Sequence, residues 1–209
     1  MTLKRYILPI ILVFPVISCS DGGSSTTFSS RVSTDSAGNV FVTGAYSGTT
    51  DFDPGPGIDN HTVPGTIGMY LSKFNADGEY QWVIAWGCHE SINGVRAHVD
   101  GEDNLYLCGN YRSTVDFDPS VNTEERMSEG GDDVYVAKYD SDGNFLWVQA
   151  FGGGADDIGW DMSVDSTGQV FVAGEYAGLV DFDPSAGEDN HTRWARLTFS
   201  SQMALPTHS

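Results

Sequence analysis

The chain is poor in cysteine and in positive charge. It contains 3 Cys among 209 residues, which is too few for a disulfide-dense scaffold. Its 10 Lys and Arg residues are outnumbered by 29 Asp and Glu residues, and the formal net charge is −19. Such an acidic surface repels phosphates and anionic lipid headgroups, so we expect no nucleic-acid partner. The hydrophobic content of 40% is enough for a folded core, which argues against wholesale disorder.

A long hydrophobic run is also missing, and the one marked apolar stretch lies at the N-terminus. Lys4 and Arg5 supply a positively charged start, and residues 6–16 supply the apolar stretch. This stretch is too short to cross a bilayer as a stable helix. We therefore interpret residues 1–18 as a signal peptide that is removed from the mature protein.

The residues that follow this stretch predict a lipid anchor. Val16-Ile17-Ser18-Cys19 resembles a bacterial lipobox, in which a small residue precedes the cysteine that receives the lipid. We predict lipidation of Cys19, attachment to the membrane through acyl chains, and a flexible Ser/Gly-rich tether over residues 19–30. The expected location is the bacterial cell envelope, at the outer membrane or the cell surface. An ordinary secretory signal with an incidental cysteine is the alternative.

A sequence block recurs at a constant interval of 65 residues. The motif Asp-Phe-Asp-Pro occurs three times at this interval, at residues 51–54, 116–119 and 181–184. Without a gap, 18 of 53 positions agree between residues 35–87 and 100–152. Such self-similarity is typical of repeat architectures. It predicts three units, of which the third is partial: residues 31–92, 93–157 and 158–192.

Each unit is predicted to form four short strands separated by tight turns. β-Branched and aromatic residues dominate the strands, and no helical periodicity of useful length appears, so the predicted fold class is all-β. The motif Asp-x-x-Gly/Asp-Asn/Gln predicts a hairpin turn after each first strand. The predicted second strands, each ended by a glycine, are Val40–Thr43, Leu105–Cys108 and Val170–Ala173. Asp-Phe-Asp-Pro and its continuation are placed in a surface loop.

The order of these features resembles the bacterial seven-bladed β-propeller repeat family. The matching motifs in this sequence are Asp35–Gly44, Tyr70–Lys73, Asp142–Asn144, Trp147 and Gly152-Gly153. The resemblance covers residues 29 to 192 and implies β-propeller-type, four-stranded blades. A propeller closes with about four to eight blades, whereas this chain supplies about two and a half. We therefore expect an incomplete array with exposed sheet edges that is unstable or prone to aggregate by itself.

The resemblance stops at Arg193, and residues 193–209 form a tail outside the repeat. Met203 stands where the spacing places a lysine. A shifted reading frame restores part of the motif, because the last base of the Trp194 codon and the first two of the Ala195 codon encode glycine, in register with Gly130. We therefore hypothesise a frame shift near residue 192 that truncates a longer protein. A naturally short protein that assembles blades between chains is the alternative.

Three pairs of acids are candidate calcium ligands: Asp51 and Asp53, Asp116 and Asp118, and Asp181 and Asp183. Carboxylate oxygens suit Ca²⁺, and acids at positions i and i+2 of a strand point to one face. The alternative is an exposed polar face with the intervening phenylalanine packed inward and the proline ending the strand.

No Gly-x-Ser-x-Gly motif, phosphate loop or cluster of Ser, His and Asp is visible, so we name no catalytic residue and expect a non-catalytic protein. The sequence favours a scaffold whose loops bind a protein or a glycan, an inference from fold analogy. A fragment of a propeller enzyme acting on polysaccharide and a calcium-stabilised structural array are the alternatives. Trp82 and Trp147 are expected in the core rather than stacked on sugars.

Overall fold

In a computed structural model, the chain is described over residues 27–203, except residues 64, 89, 119 and 183–189. The signal peptide, Cys19 and most of the tether that the sequence predicts lie outside this part. All regular structure in the described part is strand, which confirms the all-β prediction. No helix there is long and apolar enough to cross a membrane.

Fifteen strands occupy the described residues. They are β1 (Thr27–Thr34), β2 (Val40–Tyr46), β3 (Thr49–Asp51), β4 (Asn60–Thr62), β5 (Ile67–Phe74), β6 (Tyr80–Cys88), β7 (Ser91–Val99), β8 (Leu105–Arg112), β9 (Thr114–Asp116), β10 (Glu125–Met127), β11 (Asp133–Tyr139), β12 (Phe145–Phe151), β13 (Ile158–Val164), β14 (Val170–Asp181) and β15 (Asn190–Met203). β1 begins four residues inside the predicted tether.

Each full repeat forms one four-stranded antiparallel sheet. Sheet 1 has the order β1-β2-β5-β6, and sheet 2 has the order β7-β8-β11-β12 with β7 as its first strand. Sheet 3 contains β13, β14 and β15. The first strands of successive sheets are neighbours, since β1 contacts β7 and β7 contacts β13. The four-stranded unit that the sequence predicts is therefore present twice in the described residues.

The recurring aspartate in the turn motif caps the hairpin of each repeat. In the first turn, Asp35 Oδ1 accepts the main-chain N–H groups of Ala37 at 3.0 Å and Asn39 at 2.8 Å. The main chain closes the same turn through Gly38 N–H and the Asp35 carbonyl at 3.2 Å. Gly38 has φ of +83°, which explains the glycine at this position. The predicted hairpin turns are thus confirmed together with the role of their aspartate.

A shared aromatic–lysine pair lies across the second and third strands of sheets 1 and 2. Phe41 is paired with Lys73, and Tyr106 is paired with Lys138. The ammonium groups lie 5.4 Å and 4.7 Å from the centres of these rings, within range of a cation–π interaction. The repeated lysine therefore covers the aromatic ring opposite it.

Two predicted boundaries are wrong, and main-chain pairing explains both. The second strands continue beyond the shared glycine, since Gly44 pairs with Tyr70 inside sheet 1. The Asp-Phe-Asp-Pro segment is only partly a loop, because Asp51 closes the small hairpin β3–β4 and Phe52 is buried. A local pattern interprets glycine as a breaker, whereas pairing with a neighbouring strand keeps Gly44 within β2.

The tail forms part of a sheet, although its sequence has left the repeat. β15 runs to Met203 and pairs with β14 on both sides of a register shift between Tyr176 and Gly178. The hairpin end keeps the repeat register, because Leu179 pairs with Thr192 as Thr49 pairs with Thr62. Further on, Phe199 lies opposite Gly174, one residue earlier than the spacing requires. Ladder hydrogen bonds join main-chain groups and do not depend on side-chain identity, so β15 occupies the third-strand position.

Two of the three core clusters lie between sheets, and the third, which includes Phe52, Val63 and Tyr70, lies within the first repeat. One cluster joins sheets 1 and 2 and contains Phe41, Leu71, Trp86, Leu105, Leu107 and Tyr139, among others. A second cluster joins sheets 2 and 3 and contains Tyr106, Cys108, Val136, Trp147, Val170 and Val172. Alternate residues of one strand enter the two clusters, as the two-residue period of a strand requires. The sheets therefore bury their apolar faces by stacking on one another.

Candidate functional site

The first acid of each described pair closes a loop through the main chain. Asp51 Oδ1 accepts the N–H groups of Asp53 at 3.1 Å and Asp59 at 2.8 Å. In the second repeat, Asp116 Oδ1 accepts those of Asp118 at 3.1 Å and Glu124 at 2.8 Å. The same geometry, 65 residues apart, assigns the acid a structural role as the cap of the hairpin loop.

The phenylalanine between the acids is buried in both described copies. Phe52 packs against Tyr46 and Tyr70, and Phe117 packs against Tyr111 and Tyr135. β3 and β9 end at Asp51 and Asp116, so the second acid of each pair lies outside the strand and the two acids do not share a strand face. The inward phenylalanine is the feature that the sequence offered as the alternative to a calcium site.

The second acids differ between the repeats. Asp53 Oδ1 accepts the Gly55 N–H at 2.7 Å, and the half-buried carboxylate lies so close to the loop that a Cβ on Gly57 would be 2.0 Å from Oδ2. Asp118 Oδ1 accepts the Ser120 N–H at 3.0 Å, but Asn122 stands at the position of Gly57. Within the described residues, no hydrogen bond reaches Asp118 Oδ2 although Asp118 is only 9% exposed.

Asp181 ends β14 opposite Asn190, as Asp51 lies opposite Asn60, and Asp183 falls outside the described residues. In the described ranges, no group of three or more His, Cys, Asp or Glu side chains is arranged to hold a metal ion. The acids whose contacts are known bind main-chain N–H groups instead. Calcium binding therefore stays a prediction, without a coordination sphere to support it.

The second acid of the second repeat opens into a groove between sheets 1 and 2. A cavity of about 440 Å³ is lined by Trp82, Val83 and Ile84 of β6, Asp118, Ser120 and Asn122 of the β9–β10 loop, and Asp142, Gly143, Asn144 and Phe145 of the β11–β12 turn and β12. The groove exists because β9 folds back against β6.

Trp82 forms the aromatic wall of this groove. Its indole is partly exposed, whereas Trp147 at the matching position of the second repeat is buried in the core. Gly143, with φ of +85°, lies against the ring, since a Cβ there would be 3.4 Å from two indole atoms. The prediction of core packing is thus confirmed for Trp147. Trp82 packs against the core and also lines the groove.

A second set of unusual side chains lies between sheets 2 and 3. Burial raises the pKa of Asp133 to about 7, and only Oδ2 is bonded, to the Glu129 N–H at 3.0 Å. Burial also raises the pKa of Asp157 to about 6, where Gly153 and Ala177 N–H groups bind its two oxygens at 2.9 Å and 3.0 Å. The sequence favours solvated loops for both acids, and this is wrong, since Asp133 and Asp157 are 3% and 1% exposed.

The Cys108 thiol, which also lies between sheets 2 and 3, is unreactive. Cys108 is free and fully buried, and burial raises its pKa to about 12. A protonated, inaccessible thiol is neither a nucleophile nor a metal ligand at neutral pH. The side chain of Cys88 lies outside the description.

Stacked antiparallel sheets, one per repeat and with adjacent first strands, define an all-β repeat protein, and this arrangement is compatible with β-propeller blades. No protein-family model matches the chain. It is 29% identical over 139 residues to the regulatory protein FlaEY of Caulobacter vibrioides, a match that covers 62% of this chain and 14% of FlaEY. It is 24% identical over 116 residues to the uncharacterized WD repeat-containing protein L264 of Acanthamoeba polyphaga mimivirus, covering 49% of this chain and 8% of that protein. The chain thus spans a small part of these relatives.

Proposed function

We propose that this protein is a non-catalytic binding scaffold of the bacterial cell envelope, built from β-propeller blades and anchored by lipid at Cys19. The observation that carries the scaffold role is the repetition of the same capped hairpin loop on stacked sheets. Asp51 and Asp116 fix their loops through the same pair of main-chain contacts. Rigid sheets that present variable loops are a common design of binding proteins.

The variation between equivalent loops supports binding rather than packing as their purpose. The loop of the first repeat is rich in glycine and lies against its own acid, whereas Asp118 of the second repeat lines a groove. Resemblance to bacterial propeller repeats and similarity to part of a WD repeat-containing protein support the blade architecture. The ligand that we propose is a protein or a glycan.

The envelope location depends on the N-terminal motif alone. In a bacterial host that expresses the full chain, the wild type is expected to incorporate an alkyne-labelled fatty acid and to fractionate with membranes. Cys19→Ser is expected to lose both the label and the membrane fraction. Cys88→Ser is the matched control and should retain both. Equal labelling of wild type and Cys19→Ser would refute the anchor.

The scaffold role is tested with the same full chain in detergent. Immobilised protein is incubated with envelope extract and with a panel of polysaccharides, and both bound material and released products are measured. Saturable binding without product release is expected. Turnover of a polysaccharide would overturn the non-catalytic assignment.

A further inference from the structure

We propose that the groove between sheets 1 and 2 is a binding site for a neutral glycan, with Trp82 as its aromatic wall and Asp118 Oδ2 as an accessible hydrogen-bond acceptor. This inference rests on the proposed scaffold function and names its ligand class. The cavity of about 440 Å³ lies within the size range of small-molecule sites and accommodates a mono- or disaccharide unit.

The strongest observation is the unpartnered oxygen of Asp118. Asp118 is only 9% exposed as a residue, and Oδ2 belongs to the part of it that stays accessible. Ser120 N–H binds Oδ1, and nothing among the described residues donates to Oδ2. The loop thus fixes the carboxylate and presents one accessible, unpartnered oxygen at the wall of the groove.

Acceptors predominate among the other polar groups of the groove. One side-chain N–H of Asn122 donates to Ser120 Oγ at 3.2 Å and one of Asn144 donates to Asp140 Oδ2 at 2.8 Å, so each amide keeps its carbonyl oxygen and one N–H for a ligand. The exposed Asp142 adds a second carboxylate. A ligand with several hydroxyl donors fits this lining, and an anionic ligand such as a uronate is repelled.

The aromatic wall favours a sugar over a simple cation as the ligand of this groove. Sugars combine hydroxyl groups with an apolar C–H face, and a partly exposed indole with neighbouring carboxylates and amides matches both. A metal ion has no use for the indole and requires converging ligands. Such a set of three or more is absent from the portion of the chain that the structure describes.

The first repeat supplies an internal control. Asp53 is the equivalent of Asp118, but its carboxylate lies against the Gly55 and Gly57 main chain and does not line this groove. Asp53→Asn and Asp118→Asn make the same chemical change at equivalent positions. Only the second is expected to affect the ligand.

The experiment titrates the full chain in detergent with maltotriose, mannotriose, N,N′-diacetylchitobiose and an oligogalacturonate, by calorimetry and by saturation-transfer NMR. At least one neutral oligosaccharide should bind, and the oligogalacturonate should not. Asp118→Asn is expected to weaken binding by about tenfold, in the range for loss of one hydrogen bond to a charged acceptor. Trp82→Ala should weaken it at least as much, with Trp160→Ala as the control on an exposed tryptophan.

The outcomes separate this site from the wider scaffold role. Equal losses in Asp53→Asn and Asp118→Asn, preference for the oligogalacturonate, or no binding of any neutral probe would each overturn the glycan site. Calcium chloride that shifts the Trp82 indole NMR signal in the absence of sugar, and fails to do so in Asp118→Asn, would replace it with a metal site. Saturable binding of an envelope protein with none of these sugar effects would leave the scaffold standing and refute this inference. If Trp82→Ala does not fold, Asp118→Asn still decides.

Discussion

The interface between sheets 1 and 2 and the interface between sheets 2 and 3 are built from equivalent positions, yet they are closed in different ways. At the first, Ser33 Oγ donates to the Ala97 carbonyl at 3.0 Å, and Ser36 binds the Asp103 carboxylate through its N–H and its hydroxyl at 3.0 Å and 2.9 Å. At the second interface, one repeat further along the chain, His98, Gly101 and Gly168 take the places of Ser33, Ser36 and Asp103.

The loss of these groups leaves space at the second interface. A cavity of about 520 Å³ lies between the turns of sheets 2 and 3 and is lined by His98, Gly101 and Gly168, among others. Glycine has no side chain with which to bridge two turns, so adjacent sheets meet there only through the core beneath. The repeated residues therefore determine how the sheets stack, and residues that differ between the repeats determine which hydrogen bonds join the turns of adjacent sheets.

The first interface also contains a hydrogen-bonded chain within its core. Trp86 Nε1 donates to the Tyr139 hydroxyl at 2.9 Å, and Tyr139 donates to the Phe117 carbonyl at 2.7 Å. The two rings lie 5.8 Å apart in an edge arrangement. The second interface has Asp133 and Asp157 instead, two buried acids whose pKa values burial raises. We expect the first interface to be the more stable at neutral pH.

The largest expected effect is at Trp86. Trp86→Ala removes a buried indole from the core between sheets 1 and 2 and should lower the free energy of unfolding by about 3–5 kcal/mol. Urea denaturation measures it. Trp160→Ala, on a side chain that is 42% exposed, is the control and should change stability by less than about 0.5 kcal/mol. Equal effects would contradict the assignment of the core.

Tyr139→Phe tests the hydrogen-bonded chain alone. The ring stays, but Trp86 Nε1 and the Phe117 carbonyl lose their partner in a buried site, so stability should fall by about 2 kcal/mol. The measurement is the shift of the urea midpoint at unchanged m-value. A change below about 0.5 kcal/mol would show that water replaces the hydroxyl group and that these hydrogen bonds are accessible to solvent.

Raising the pH should weaken the second interface. Asp133 and Asp157 have folded-state pKa values of about 7 and about 6, above the ordinary value of 3.8. The folded state thus binds more protons than the unfolded state over this range, so their contribution to stability is highest below about pH 4 and falls as the pH rises towards 7. The expected loss between pH 5 and 7 is on the order of 2 kcal/mol.

Asp133→Asn should remove most of this pH dependence, because the amide does not titrate. Glu102→Gln is the control, with the same change of charge on an exposed side chain. Urea denaturation across the pH range gives the comparison. The predicted direction would be wrong if the free energy of unfolding of the wild type rose between pH 5 and 7 and Asp133→Asn left that rise unchanged.

The smallest expected effect comes from introducing at the second interface the hydrogen bonds that join the turns at the first. Gly101→Ser with Gly168→Asp copies Ser36 and Asp103, and Asp103 itself adopts φ of +63°, close to the +84° of Gly168. The gain should be below about 1 kcal/mol, since the new hydrogen bonds are exposed and aspartate is less suited than glycine to this φ. Amide hydrogen exchange in the turn at residues 165–169 should slow. Unchanged exchange would refute the role of the two glycines.

Local patterns predicted the strands and turns well. The Asp-x-x-Gly-Asn motif predicted the hairpins, because an aspartate that caps its own turn and a glycine with positive φ act within five residues. Alternation of apolar residues likewise predicted most strands to within a few residues. The small hairpin β3–β4 was missed, since Phe52 is buried by Tyr46 and Tyr70 from outside its own segment.

The candidate site was predicted only in part. Asp118 was singled out for its repeated motif, but the motif could not distinguish it from Asp53. That distinction comes from the loop around each acid and from the approach of β9 to β6. Trp82 was assigned to the core because its position repeats as Trp147, and the groove that exposes it is a property of two neighbouring sheets.

The sequence by itself determined the unit of this protein: its 65-residue period, its strands, its capped turns and its acidic character. These follow from contacts within a few residues and from a two-residue alternation along each strand. The tertiary structure alone decided which sheets are fastened, which acids are buried and where a groove opens. Those features depend on side chains about 65 residues apart meeting across an interface, and no local pattern specifies that encounter.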